Sequence, residues 1–409
     1  MKPGVLFILF TVMIDAMGIG LIVPVMPDLI LEVRGGDLGT AALWGGVLST
    51  VFAAMQFLFG PLLGALSDRY GRRPVLLISL VVLVADYLVM AVAGTIWLLL
   101  AGRVVGGITA ATQSTANAYM ADISAPEDKA ANFGLIGAAF GLGFVFGPVI
   151  GGLLAEYGTR APFYAAAALA GLNAIFGYLV LKETVDDRIR RTFTWSRANP
   201  LGLFRHLAQL PGLGPLLWVF FLYQVAFTVY PSVWAYYSAE RFDWSPGMIG
   251  FSLFLFGISL AAIQGGLIRP ILRLLGERGA VVYGHIADIG VFILIGFVWS
   301  GTALLILTPL AALPAVITPA LQGIMSKAVG DDAQGELQGA LVSVSALAMI
   351  ISPLVMTASF SAAIGPSSPI YPPAAPCARA SAPSTSNIAR TSAASDHKRP
   401  TSPVGKSLP

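Results

Sequence analysis

Gly64-Ala65-Leu66-Ser67-Asp68-Arg69-Tyr70-Gly71-Arg72-Arg73-Pro74 is a charged hairpin between two long apolar runs, 43–66 and 75–93. Gly71 permits a tight turn, and Pro74 suits the first turn of the helix that follows. Asp68 lies near that helix's N-terminus, where the helix dipole favours an anion, and Arg69, Arg72 and Arg73 are placed to pair with it or with phospholipid. A bilayer core of about 30 Å takes roughly 20 apolar helical residues per crossing. Each flank is long enough to cross, so the hairpin reads as a polar loop joining two membrane spans.

The same alternation continues in both directions. Eleven apolar segments lie near 5–27, 43–66, 75–93, 96–121, 132–155, 161–181, 213–237, 248–270, 280–299, 302–325 and 337–360. They are continuously apolar rather than alternating, which predicts helices and not a barrel. The first is too long for a signal peptide, contains Asp15 and lacks a small-residue cleavage pattern. Composition agrees: of 409 residues, 56% are apolar and 11% charged, with mean hydropathy +0.79, whereas a soluble chain is about a quarter charged. The net charge of +3 is too small and dispersed for a nucleic-acid binder; one Cys excludes an internal disulfide framework or Cys-rich metal site, and three His leave no His-rich site. The expected fold class is an all-α, multi-pass membrane protein.

With the N-terminus in the cytoplasm, 15 of the 24 Lys and Arg fall on the cytoplasmic side, and 3 (Arg34, Arg160 and Arg241) on the other. The positive-inside rule therefore predicts that orientation. The longest internal connection, 182–212, is polar and basic, and reads as a cytoplasmic central loop. It divides a six-helix N-terminal half, 1–181, from a C-terminal half with five helices, 213–360, a plan typical of transporters built from repeats. Gly276-Glu277-Arg278 after the eighth span echoes Gly71-Arg72-Arg73 after the second. Residues 361–409, rich in Pro, Ser and Ala, contain no run long enough to cross and read as disordered.

Of the 21 acidic residues, only Asp15, Asp86 and Asp288 fall well within apolar segments, and Arg103 is the one comparable base. An intramembrane charge costs about 2.5–3.5 kcal/mol even on insertion scales, so such groups usually face a bundle interior or wet cavity and handle ions or substrate. Burial favours the neutral carboxyl and a nearby cation the charged one. A carboxyl held between the two can trade a proton for a cationic ligand. An Asp–Arg pair that merely locks two helices is the competing reading, and Arg103 also fits as a fixed counter-charge. Gln56 in the second span, and Gln113, Ser114, Thr115 and Asn117 in the fourth, offer hydrogen bonds to a ligand or to a neighbouring helix. In the fifth span Gly143, Gly147 and Gly151 recur every four residues beside Pro148 and Gly152, a ladder for close helix packing with a proline that favours a kink.

The loop pattern G-x3-D-R-x-G-R-R resembles the loop signature of the major facilitator superfamily. G-x3-G-P-x2-G-G in the fifth span is similar to the antiporter motif of proton-driven drug exporters, and Arg103 with Gly106-Gly107 to the superfamily's fourth-span Arg motif. Asp15 through Pro27, Ala161-Pro162-Phe163 through Asn173, Arg241-Phe242-Asp243-Trp244, Ile286-Ala287-Asp288 and Gln334 through Gly339 resemble the tetracycline/proton antiporters, over about residues 3–371. The resemblance implies a helical bundle of two six-helix halves around a central cavity, in a bacterial cytoplasmic (inner) membrane. It implies export of a small-molecule drug, a tetracycline–divalent metal monocation, against an incoming proton. Residues matching Asp15, Gln56, Asp86, Arg103 and Asp288 would serve substrate and proton coupling; Gly64, Asp68, Arg69, Gly71, Arg72 and Arg73 would govern a cytoplasmic gate. No cofactor is expected on the protein, since Mg2+ or a similar ion arrives within the drug chelate.

The chain departs from this family twice. The family's eighth span often carries a His linked to proton movement; the matching position is Leu260. His285 lies three residues before Asp288 on one helical face and is a candidate replacement, with snorkelling at a helix end as the competing reading. Family members also have a twelfth span, which is missing here: Pro372–Pro409 has the composition of GC-rich coding sequence read out of frame, so an aberrant terminus is expected, with reduced stability. The competing functions are a major-facilitator exporter of another drug or metabolite, and a non-transporting receptor or scaffold. An intramembrane enzyme is disfavoured, as the chain has neither an H-E-x-x-H zinc motif nor a G-x-S-x-G elbow.

Overall fold

A computed structural model describes residues 3–109, 112–125, 128–185, 213–329 and 334–364. Within them the chain is helical, without strands. We label ten helices: α1 (Pro3–Arg34), α2 (Leu38–Tyr70), α3 (Arg72–Val92), α4 (Ile96–Ile123), α5 (Lys129–Ala155), α6 (Ala161–Val180), α7 (Gly214–Phe242), α8 (Pro246–Phe297), α9 (Gly301–Ala328) and α10 (Gln334–Ile364). All ten include a stretch long and apolar enough to cross a membrane. Residues 110–111 within α4 lie outside the described ones.

The eighth and ninth expected spans are fused in α8. Its 52 residues amount to about 78 Å at 1.5 Å per residue, more than twice a bilayer core. The break is at Gly276, which has φ 67° and ψ 174° inside an otherwise helical run. Gly71, between α2 and α3, has φ 110° and ψ 150°. Both glycines of the sequence echo thus turn the chain through left-handed backbone that a side chain would strain.

Residues that pack the bundle are small or apolar. Gly143, Gly147 and Gly151 bring α5 onto α1 so closely that a Cβ at these positions would collide with the α1 backbone at Met13, Met17 and Leu21. On another face of α5, the Gly152 backbone lies against Pro246 and Gly247, and Gly250 and Gly257 of α8 close onto Pro148 and Val145. The N-terminal half therefore meets the C-terminal half through α5 and α8, and also through α2 and α10, where Gly46 abuts Thr357. Pro148 lies inside α5, which stays helical through it. Apolar side chains such as Leu179, Trp97 and Ile293 point outward, as a lipid-facing surface requires.

The last helix runs to Ile364 rather than stopping at 360; pairing with α2 holds its end, where Gly39 lies against Ser361 and Ile364. Most of the central loop 182–212, and the terminus from 365 on which the missing span and disorder were expected, lie outside the described residues.

Candidate functional site

The N-terminal half gathers three of the expected intramembrane residues. Arg103 of α4 donates from Nη2 to Asp86 Oδ2 of α3 at 3.3 Å, with both side chains buried. The guanidinium also lies over the Phe52 ring of α2, 5.2 Å from its centroid. Gly102 and Gly106 make room for the carboxylate: a Cβ at either would run into it, and one at Gly107 would strike the α2 backbone at Phe52. The glycines beside Arg103 thus shape the pair's chamber.

Asp15 of α1 is half-buried. Between it and the Asp86–Arg103 pair stands Tyr87, 5% exposed, whose phenol interacts electrostatically with all three and whose hydroxyl presses on the backbone at Gly18. Several polar atoms here are buried without a hydrogen-bond partner: Asp15 Oδ1, Asp86 Oδ1 and Arg103 Nε, with Thr115 Oγ1 and Asn117 Oδ1 further along α4. Native interiors rarely tolerate this, because an unmet polar atom forfeits its solvation. Gln56 is half-buried on α2. The side chain of Gln113 lies outside the described residues.

Asp288 sits apart from these, in the C-terminal half, within electrostatic reach of His285, Tyr223 and Tyr230. His285 Nδ1 is 2.8 Å from the Val281 carbonyl. A carbonyl only accepts, so Nδ1 carries a proton and donates it there. The imidazole packs edge-on against Tyr223, centroids 6.1 Å apart. Leu260 lines a cavity whose wall also includes Tyr223, Gln224 and Phe227.

At the loop, Arg72 is the hub. It pairs with Asp68, donates to Ser67 Oγ at 2.7 Å, and reaches Asp122 at the end of α4 through Nε at 3.2 Å. Arg73 donates to the Tyr178 carbonyl at 3.0 Å and lies over that ring, while Arg69 lies over Tyr70. The expected anion at the N-terminus of α3 is there, but it is not Asp68: Glu183, just past α6, accepts from the backbone N–H of Arg72 at 2.8 Å and of Arg73 at 3.2 Å. Sequence reading missed Tyr87, Asp122 and Glu183. Tyr87 adjoins Asp86 in the chain, and Asp122 and Glu183 are acids at span ends on the arginine-rich side; those were the available signals.

Among the described residues no group of three His, Cys, Asp or Glu side chains is arranged to hold a metal ion. The profile of the Major Facilitator Superfamily matches residues 8–353. The tetracycline resistance protein of class C from Escherichia coli is 42% identical over 359 residues, covering 88% of this chain and 90% of that one. The class G protein of Vibrio anguillarum is 40% identical over 365 residues, covering 89% and 92%. Among solved structures, the human organic anion transporter MFSD10 (TETRAN) superposes with TM-score 0.65 at 27% identity, over 88% of this chain and 93% of that one. With helices that cross a membrane, buried acids and this kinship, the chain belongs to the major facilitator superfamily and, within it, to the family of tetracycline resistance proteins.

Proposed function

We propose that this transporter exports a tetracycline–divalent metal monocation from the bacterial cytoplasm and takes up a proton in exchange, with its N-terminus on the cytoplasmic side. The observation that carries the reading is the pair of buried, unpartnered carboxylate oxygens, Asp15 Oδ1 and Asp86 Oδ1, the second of them on the carboxylate that Arg103 pairs with. A carboxyl whose second oxygen has no partner can hold a proton in one state and face a cation in the next, and Arg103 keeps the local charge from running negative when the cation leaves. Asp288 is a further carboxyl, in the C-terminal half, with the His285 imidazole beside it. The kinship of the chain to tetracycline resistance proteins supports the choice of substrate. The divalent ion travels as part of the cargo.

Proton-driven uptake of Mg2+–tetracycline into inverted membrane vesicles tests the proposal. Uptake by the unaltered chain, lost in Asp15→Asn, Asp86→Asn and Asp288→Asn, is expected. Uptake that survives all three replacements rejects the exchange mechanism. The structural likeness to a human organic anion transporter favours a second reading, export of another drug or metabolite. Competition by an anionic drug, without tetracycline uptake, would select it.

A further inference from the structure

The C-terminal half contains a cavity of about 500 Å³, within the range that admits a drug-sized molecule. Its lining includes three carboxamides, one from each wall helix: Gln224 of α7, Gln264 of α8 and Gln322 of α9, with Thr318, Tyr223 and Phe227. No charged side chain is among the described residues that line it. Gln224 is engaged with Ser345 at 3.3 Å. Gln264 and Gln322 have no hydrogen-bond partner among the described residues.

The backbone gives an independent sign. Two of the three wall helices, α8 and α9, depart from α-helical geometry beside the cavity. Helix α7 stays right-handed helical through Thr228, where Gly214–Phe227 joins Val229–Phe242. Helix α8 passes through a π-turn at Ile263–Leu267, which contains Gln264, and α9 tightens to a 3-10 helix over Thr308–Val316. At membrane depth irregular backbone is tolerated where it lines a cavity, and broken helices and π-turns concentrate at binding sites. Gly265 and Gly266, inside the π-turn, are not packing glycines: a Cβ at either would meet nothing within 4 Å.

We infer that this carboxamide-lined cavity is a recognition site for the uncharged, oxygen-rich edge of a flat polycyclic ligand, separate from the carboxylates that meet its charge. Each carboxamide offers a donor and an acceptor together, which matches an edge of alternating hydroxyl and carbonyl oxygens and leaves a cation or anion unanswered. Tyr223 and Phe227 supply flat apolar surface for the rings. The site rests on the export proposed above and deepens it: Asp15, Asp86 and Asp288 read charge, whereas Gln264, Gln322 and Thr318 read shape and neutral oxygens.

The test is the kinetics of Mg2+–tetracycline uptake into inverted vesicles by the full chain and by Gln264→Leu, Gln322→Leu and Thr318→Val. Losing a hydrogen bond to a neutral partner is expected to raise KM about threefold to tenfold, with kcat within about twofold and the pH profile unchanged. A purely structural role would lower kcat or the amount of protein instead. Should Gln264→Leu not reach the membrane, Gln264→Asn, which keeps the amide but withdraws it by one methylene, and the near-isosteric Thr318→Val are read the same way. An unchanged KM in the variants overturns this assignment alone. Absence of uptake by the unaltered chain overturns it together with the proposed function.

Discussion

Asp86 and Arg103 face each other across α3 and α4 at 3.3 Å, in a chamber that exists because positions 102 and 106 carry no side chain. Two buried charges repay their desolvation only through each other, and removing one leaves the other stranded at a cost of about 3–5 kcal/mol. Arg103→Gln alone should therefore lower the melting temperature of the purified protein more than the double variant Asp86→Asn with Arg103→Gln. The unfolding midpoint in detergent decides this. Equal midpoints for Arg103→Gln and the unaltered protein would mean that the pair is not coupled.

The ladder of α5 makes a sharper positional claim. A Cβ at Gly147 meets the α1 backbone at Met17 and Gly20, whereas one at Gly137 on the same helix meets nothing within 4 Å. Overpacking of this kind costs about 1–3 kcal/mol. Gly147→Ala should reduce both stability and uptake, and Gly137→Ala should leave both as they are. Equivalent behaviour of the two variants would show that the ladder serves something other than close approach.

The bundle was legible because bilayer physics leaves few choices: a continuous apolar run of sufficient length must be a helix. The loop was legible in part. Gly71 announced its turn, since only a residue without a side chain adopts φ 110° there cheaply. From the hairpin alone the acid near the start of α3 is Asp68, because sequence proximity is all a hairpin offers. Glu183 takes that place because α6 returns beside α3, 111 positions from Arg72 in the chain, and such pairings follow from topology rather than local pattern. Tyr87 was passed over for the same reason: its importance comes from Gly18, which lets a phenol reach α1. The cavity carboxamides lie on three helices, two of them with irregularities that have no strong sequence signature beyond Gly265-Gly266 and Pro314.

Glu183 is the next test of that topology. Its two carboxylate oxygens meet the first N–H groups of α3, the orphan donors that every helix start exposes. Removing a capping acceptor costs about 0.5–2 kcal/mol. Glu183→Ala should lower the unfolding midpoint and Glu183→Gln, which keeps one acceptor oxygen, should lower it less. Matching effects in the two variants would show that the carboxylate acts by charge and not as a cap.

His285 divides two readings of the C-terminal half. With Nδ1 committed to the Val281 carbonyl, only Nε2 remains to exchange a proton near Asp288. His285→Ala should shift the pH profile of uptake if the ring hands protons to that carboxyl. An unchanged profile removes His285 from the proton path and leaves it as packing against Tyr223.

Asp37 supplies a pH effect outside the membrane spans. It caps α2: the Thr40 N–H donates to Oδ1 at 2.8 Å and the Thr40 hydroxyl to Oδ2 at 3.2 Å. The backbone hydrogen bond from Thr40, foremost, holds this carboxyl below its ordinary value. A depressed value in the folded state means that the ionised cap stabilises fully above the unfolded carboxyl value of about 3.9 and loses its contribution as pH falls through the lower, folded value. The side chain is largely exposed, so solvent screening keeps the effect small. Asp37→Asn retains a capping oxygen but does not titrate. The difference in unfolding midpoint between the unaltered protein and Asp37→Asn should therefore shrink between about pH 6 and pH 3, a window that brackets the unfolded value. A difference that stays constant over that window would show that the cap works through its hydrogen bonds alone, with no contribution from the charge.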